Sequence, residues 1–237
     1  MSPVRSLTAV VMAAGQGTRL RPLTERWAKP VLPIDGRPVL ATLLWELASA
    51  GFEEVTLVTG HLAEQVEALV EGGSPFRLRV TTVRQPQALG SADAVVRALD
   101  AGAVPPLLVT AADTVFLRGD IGRVVATWGG TSAAGALGVR AGGREKETPV
   151  RVENGLVVEL GGASPDHAAA PLWMLGEELA EALRSVPGPP FEIAHAVQEA
   201  IGAGKEVLAL EMGPMRDLTR PADVVRHNFP YLSSEGE

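Results

Sequence analysis

The chain contains no cysteine. That excludes disulfides and thiolate catalysis, and it fits a reducing compartment without demanding one. Aromatic residues are scarce, with five Phe, four Trp and one Tyr among 237 residues, which argues against ring stacking as the main reader of a ligand. There is no surplus of positive charge either. The 21 Lys and Arg are outnumbered by 28 Asp and Glu, for a net charge of −7, so neither a general nucleic-acid surface nor an anionic-membrane surface is expected. The apolar run near the start, Leu7 to Met12, is too short for a membrane span or a signal-peptide core. A cytoplasmic protein with no membrane partner is the corresponding expectation. None of the four histidines stands at metal-ligand spacing from another, which makes a zinc site improbable. No G-x-S-x-G elbow occurs, so a Ser-His-Asp hydrolase is unsupported.

What is present is concentrated in one stretch, Ala13-Ala14-Gly15-Gln16-Gly17-Thr18-Arg19-Leu20-Arg21-Pro22-Leu23-Thr24, closed by Lys29-Pro30. It directly follows Leu7 to Met12, which reads as a buried strand. Glycine at 15 and 17 lets the backbone approach a phosphate and adopt φ values that other residues resist, and the N–H groups of such a turn form an anion-binding concavity. Arg19, Arg21 and Lys29 add three cations suited to a polyphosphate. The spacing is not that of the two commonest nucleotide loops. Leu20 stands where a dinucleotide fingerprint needs its third glycine, and no G-x-x-x-x-G-K-[ST] string occurs.

Strand and helix patterns alternate after the turn. Pro38 to Ala50 has helical periodicity and stops at Gly51. Val55 to Thr59 reads as strand, Ala63 to Val70 as helix ended by Gly72-Gly73, Leu78 to Val83 as strand, Ser91 to Leu99 as helix, and Leu107 to Thr110 as strand. Repeated strand–helix units argue for a mostly parallel sheet with helices on both sides. Beyond them, Thr131 to Val139 reads as strand and Arg140 to Glu147 as a charged loop. Val150 to Val152 and Leu156 to Leu160 read as a hairpin over Asn154-Gly155, and Ala168 to Leu175 as a further strand. Helices are expected near Glu177 to Arg184, Phe191 to Ile201 and from Pro221, with Pro187-Gly188-Pro189-Pro190 as a rigid break.

Asp113 follows the fourth strand at the sheet edge where α/β proteins bind ligands. A carboxylate facing a phosphate-binding turn suits Mg²⁺, and it suits a cap for the next helix or turn equally well. Position alone leaves both readings open.

The string G-x-G-T-R-L-x-P-x-T followed by K-P resembles the signature of the sugar nucleotidyltransferases, the nucleoside-diphosphate-sugar pyrophosphorylases. The resemblance implies an α/β fold with a Rossmann-like, mostly parallel central sheet flanked by helices, of the glycosyltransferase-A-like nucleotidyltransferase kind. It implies a single nucleotidyltransferase domain over 1–237, with 1–120 binding the nucleotide and 121–237 the sugar phosphate. The implied activity is transfer of a nucleoside monophosphate from a nucleoside triphosphate to a sugar 1-phosphate, releasing pyrophosphate, with Mg²⁺ as cofactor. Arg19, Lys29 and Asp113 take the catalytic positions, and Asp113 and Asp217 the metal positions. Ala13, Ala14, Gly15, Gln16, Gly17 and Thr18 form the nucleotide loop. Gln85, Gly90 and Ser91 match a Gln…Gly-Thr-Ala segment that touches base and ribose. The bland alternatives are a polar loop with Ser91 capping the next helix, and Asp217 or Thr219 capping the helix from Pro221. The family commonly oligomerises through its second half, and a homo-oligomer is the matching partner expectation, although no periodic apolar stripe predicts it.

Two departures qualify the resemblance. Arg216 stands where an aromatic residue is frequent before the second metal aspartate. The Glu-Lys-Pro string whose lysine grips the sugar phosphate is missing: Glu159-Leu160 runs into Gly161-Gly162-Ala163-Ser164-Pro165. Arg140, Arg144, Lys146 or Arg151 could replace it. A cytidylyltransferase or guanylyltransferase acting on a non-sugar phosphate such as phosphocholine is the enzymatic alternative, and a non-catalytic nucleotide-sugar-binding homologue is the other.

Overall fold

The computed structural model describes residues 7–71, 77–142, 147–163 and 165–230. The chain opens with β1 (Thr8–Ala13), the glycine turn, and a short hairpin of β2 (Pro33–Ile34) and β3 (Arg37–Pro38) that leads into α1 (Val39–Ser49). Then follow β4 (Glu54–Thr59), α2 (Ala63–Ala68), β5 (Arg79–Arg84), α3 (Ser91–Asp100), β6 (Leu107–Ala111), β7 (Thr114–Val115) and α4 (Asp120–Gly129). The second half holds β8 (Gly135–Ala141), β9 (Pro149–Glu153), β10 (Leu156–Leu160), β11 (His167–Leu175), α5 (Glu177–Ala182), α6 (Ile193–Gly202), β12 (Val207–Glu211), β13 (Arg216–Asp217) and α7 (Pro221–Asn228).

Nine strands form one sheet in the order β5-β4-β1-β6-β11-β8-β12-β10-β9. The first four run parallel, joined through α1, α2 and α3. Beyond β6 the sheet is mixed: β11 is antiparallel to both β6 and β8, whereas β12 lies parallel to β8. Strands covered on both faces must be apolar throughout, and β1 shows the consequence. Ala9, Val11 and Ala13 enter one core with Leu40, Leu43, Leu44 and Leu47 of α1, while Val10 enters the opposite core with Ala92, Val95 and Ala98 of α3. In α1 the spacing i, i+3, i+4, i+7 builds that buried stripe, and Gly51, at φ 93°, takes the left-handed position just past its end.

The hairpin of β9 and β10 turns on Asn154 and Gly155, both at positive φ (52° and 78°), as the Asn-Gly pair predicts. Several elements depart from the sequence reading, among them the two-residue strands β2, β3, β7 and β13 and α6, which starts at Ile193 rather than Phe191. Thr131 to Ala134 is not strand, and β8 starts at Gly135. Helix α4 has no clear apolar pattern in sequence because glycines at 119, 122, 129 and 130 punctuate it, and its buried residues are Asp120, Ile121 and Val124. The short strand β12 is specified by its place beside β8 rather than by a pattern of its own. Among the described residues no helix is long and apolar enough to cross a membrane.

Candidate active site

The glycine turn is held rigid by residues that do not face a ligand. Leu20 is buried with Leu32, Ile34, Val39, Val115 and Leu218 in a small core beneath it. Thr24, also buried, donates its hydroxyl to Gly17 O (2.9 Å), and its own carbonyl meets His61 Nε2 (2.7 Å). The N–H of His61 bonds Ala14 O (3.3 Å), tying the turn to the end of β4. Gln65 pins the following segment, accepting from Ala28 N and donating to Arg26 O, each at 2.8 Å.

The two glycines of the turn differ in kind. Gly17 sits at φ 60°, and a Cβ there would lie 2.9 Å from Thr24 Cγ2, so the fold itself demands glycine. Gly15 is exposed, lies outside the left-handed region, and a Cβ there would have nothing within 4 Å. The protein's own packing gives no reason for glycine at 15.

Above the turn lies a cleft of about 470 Å³ lined by Ala13, Ala14, Gly15, Gly17, Thr18 and Arg19, by Lys29, by Gln85, Gly90 and Ser91, and by Asp113. It is at the carboxyl ends of β1 and β6, as strand topology predicts. Gln16 is exposed beside the cleft and does not line it. Lys29 Nζ is ion-paired with Asp113 Oδ2. Arg19 is exposed and has no ion pair among the described residues.

A second cleft of about 300 Å³ adjoins the first and shares Ala111 and Asp113 with it. It is lined further by Thr114, Arg140, Glu147, Thr148, Trp173 and Asp217 and by the apolar Ala169, Ala170, Pro171 and Met215. The sequence reading missed Trp173, Thr148 and Glu147. Trp173 lies on β11 beside β6 and β8, a proximity that only strand order reveals. Of the two candidate cations among the described residues, Arg140 and Arg151, it is Arg140 that lines this cleft. It is paired with Glu147, and its Nε is buried without a hydrogen-bond partner among the described residues. Arg151 pairs instead with Glu153 and Glu159, and Arg144 and Lys146 lie outside the described residues.

The two aspartates, 104 positions apart in sequence (217 − 113), come together because β7 pairs antiparallel with β13, which sets Asp217 opposite Thr114. Neither serves as a helix cap. Helix α4 is capped at Gly119. Helix α7 begins after Arg220, and the Asp223 carboxylate accepts the N–H groups of Thr219 (2.9 Å) and Arg220 (2.7 Å). Among the described residues, Asp217 Oδ2 accepts only the Thr219 hydroxyl, at 3.1 Å. Its neighbour Arg216 grips Asp35 with two hydrogen bonds (2.8 and 2.5 Å). That contact holds the Asp35 carboxyl below the usual carboxylate range and anchors the two-residue strand β13.

Ser91 does not cap α3. The cap position is Gly90, at φ 118°, and a Cβ there would fall 2.2 Å from the carbonyl oxygen of Phe191. Close backbone contact between Gly90 and the loop before α6 therefore requires glycine, whether or not a base touches it. The Ser91 hydroxyl bonds Glu192 and accepts the N–H of Ile193 (3.0 Å).

Residues 8–149 match the family model described as nucleotidyl transferase. A curated glucose-1-phosphate thymidylyltransferase from Streptomyces antibioticus is 30% identical over 238 residues, 95% of this chain and 66% of that protein. A shorter stretch of 70 residues, 30% of this chain and 11% of the relative, is 51% identical to a CMP-5'-(3-aminopropyl)phosphonate synthase from Streptomyces rubellomurinus. The chain thus spans at most about two thirds of the length of these relatives. A solved UDP-glucose pyrophosphorylase complexed with UDP-glucose superposes with a TM-score of 0.84 at 19% identity, covering 96% of this chain and 99% of the other, which shows a common fold.

Proposed function

Because the chain belongs to the nucleotidyl transferase family, we propose that it transfers a nucleoside monophosphate from a nucleoside triphosphate to a sugar 1-phosphate, releasing pyrophosphate. One observation carries the reading: two clefts, one walled by a glycine turn and cations and one by Arg140 and Trp173, share Asp113. Two substrates bound there would meet at that carboxylate. An oxygen of the acceptor phosphate attacks the α-phosphorus, the bond from that phosphorus to the bridging oxygen breaks, and pyrophosphate leaves with the electron pair. No covalent enzyme intermediate is needed, since positioning and charge neutralisation suffice.

The residues divide this work. Backbone N–H groups around Gly15 and Gly17 cradle the phosphates, and the bare Cα of Gly15 lets them approach. Arg19, which has no ion pair among the described residues, neutralises the departing pyrophosphate. Lys29 neutralises the α-phosphate, exchanging Asp113 for the ligand. Arg140 holds the acceptor phosphate in place of the family lysine. Asp113 and Asp217 are suited to holding Mg²⁺, which takes one or two carboxylates together with substrate phosphates. The ion would supply Lewis-acid stabilisation of the phosphoryl oxygens.

Ala169, Ala170, Pro171, Trp173 and Met215 supply an apolar part of the second cleft's lining, and Thr114, Arg140, Glu147 and Thr148 are its polar residues besides the aspartates. That observation favours, as a second reading, a small non-sugar phosphate or phosphonate acceptor over a hydroxyl-rich hexose.

Pyrophosphate release distinguishes these readings when five nucleoside triphosphates are crossed with sugar 1-phosphates, phosphocholine and aminoalkylphosphonates in the presence of Mg²⁺. The account requires release that depends on one triphosphate and one acceptor together. Triphosphate binding with no release from any pair would favour a non-catalytic protein.

A further inference from the structure

In the lining of the first cleft, besides the glycine turn, stand Gln85 and Glu192, each with one acceptor oxygen that the surrounding network leaves open. Gln85 is only 5% exposed. Its amide nitrogen donates to Gly90 O (3.1 Å) and to Asp93 Oδ2 (2.7 Å). Both partners can only accept, so the nitrogen occupies that side and Oε1 alone remains for a ligand. The second oxygen comes from the loop before α6. Glu192 Oε2 accepts the Ser91 hydroxyl (2.5 Å) and lies 3.4 Å from Ser91 N, while its Oε1 has no partner among the described residues. Glu192 lines the same cleft as Gln85, Gly90 and Ser91.

This wall is fixed. Phe191 N donates to Leu89 O (2.7 Å), Ala92 N donates to Phe191 O (2.8 Å), and Gly90 lies in backbone contact with Phe191. The Glu192 carboxylate is held in this wall by the Ser91 hydroxyl, which in turn accepts the N–H of Ile193 at the start of α6.

We propose that Glu192 reads the nucleobase and, with Gln85, selects a base carrying an amino group over uracil and thymine. The proposal rests on the nucleotide reading of this cleft, with the phosphates at the glycine turn and the base at Gln85. An amino group supplies two N–H bonds and can satisfy both acceptors. The pairing edge of uracil or thymine offers one N–H flanked by two carbonyl oxygens. One of the two protein oxygens would then face another oxygen, and an unmatched charged acceptor of this kind costs about 1.5–3 kcal/mol, a factor of roughly ten to a hundred in affinity.

Equilibrium titration of the full chain with CTP, GTP, ATP, UTP and dTTP, each with Mg²⁺, tests this directly. The expected result is that at least one amino-bearing triphosphate binds at least about tenfold more tightly than UTP and dTTP. Glu192→Gln retains an acceptor for Ser91 and can turn an amide N–H₂ toward the base. It should narrow that ratio about tenfold, with a melting temperature close to that of the parent. Tighter binding of UTP or dTTP by the parent protein, or an unchanged ratio in Glu192→Gln, overturns the proposal. The parent ranking decides alone if the variant fails to fold. Failure of every triphosphate to bind would overturn both this proposal and the nucleotide reading on which it rests, whereas binding with the reverse preference strikes the role of Glu192 alone.

Discussion

Lys29 and Asp113 lie 84 positions apart, yet their side chains form an ion pair where the two adjoining clefts meet. In the free protein each neutralises the other inside a partly buried site. Under the proposed transfer, substrate binding parts them, sending Lys29 to a phosphate and leaving Asp113 to a cation. Asp113→Asn should therefore reduce kcat by at least about tenfold, and on the order of a hundredfold, through loss of metal-based charge stabilisation. Steady-state turnover at saturating Mg²⁺ checks this, and near-normal kcat would remove Asp113 from the metal site.

Gly15 offers the opposite test, because the fold does not need it. Gly15→Ala should leave the melting temperature unchanged within about 2 °C, since the new methyl meets open space. Triphosphate affinity should fall about tenfold or more, equivalent to about 1.4 kcal/mol, because the methyl occupies the approach to the phosphates. Gly17→Ala should do the reverse and destabilise the protein, through both its φ of 60° and the contact with Thr24. Thermal melts beside binding titrations separate the two effects.

Arg140 is the cation assigned to the acceptor phosphate. Arg140→Gln should raise the acceptor KM about tenfold or more, the scale of one charged hydrogen bond, while leaving triphosphate binding unaltered. An unchanged acceptor KM would return that role to Arg144 or Lys146.

How much of this was legible beforehand depended on distance along the chain. The glycine turn and its cations are contiguous, so their chemistry and their place after a strand could be read directly. The parallel half of the sheet was equally legible, because β1, α1, β4, α3 and β6 carry local periodicity. Asp113 and Asp217 meet only through the pairing of two-residue strands, which have no periodicity to detect. Likewise, the choice of Arg140 over Arg151 depends on β8 lying beside β11. Gly90 matched a ligand-contact motif, but its immediate constraint is the Phe191 backbone. Thr24, part of the recognised string, bonds Gly17 and so holds the turn.

His167 gives a pH-dependent prediction outside the site. Its Nδ1 meets Asp166 and its Nε2 meets Glu211, each at 2.8 Å, so the imidazolium satisfies both carboxylates. The Asp166 hydrogen bond chiefly raises the His167 pKa, and the same contact lowers that of Asp166. The histidine's stabilisation is full below its unfolded pKa of about 6.5 and disappears as pH rises through the higher folded value. The aspartate's is present above about 3.9 and is lost as pH falls through its lowered folded value. His167→Gln should thus lower the melting temperature more at pH 5.5 than at pH 8.5, by a few degrees at most for so exposed a cluster. Equal shifts at both values would exclude the charged form.

The most direct test of transfer follows two labels on the triphosphate selected by the panel, incubated with its acceptor and Mg²⁺. The account predicts that a label on the α-phosphorus appears in an acceptor-linked product, while a label on the γ-phosphorus leaves as pyrophosphate. Release of the γ label as inorganic phosphate, with no α label joined to any acceptor, would contradict it.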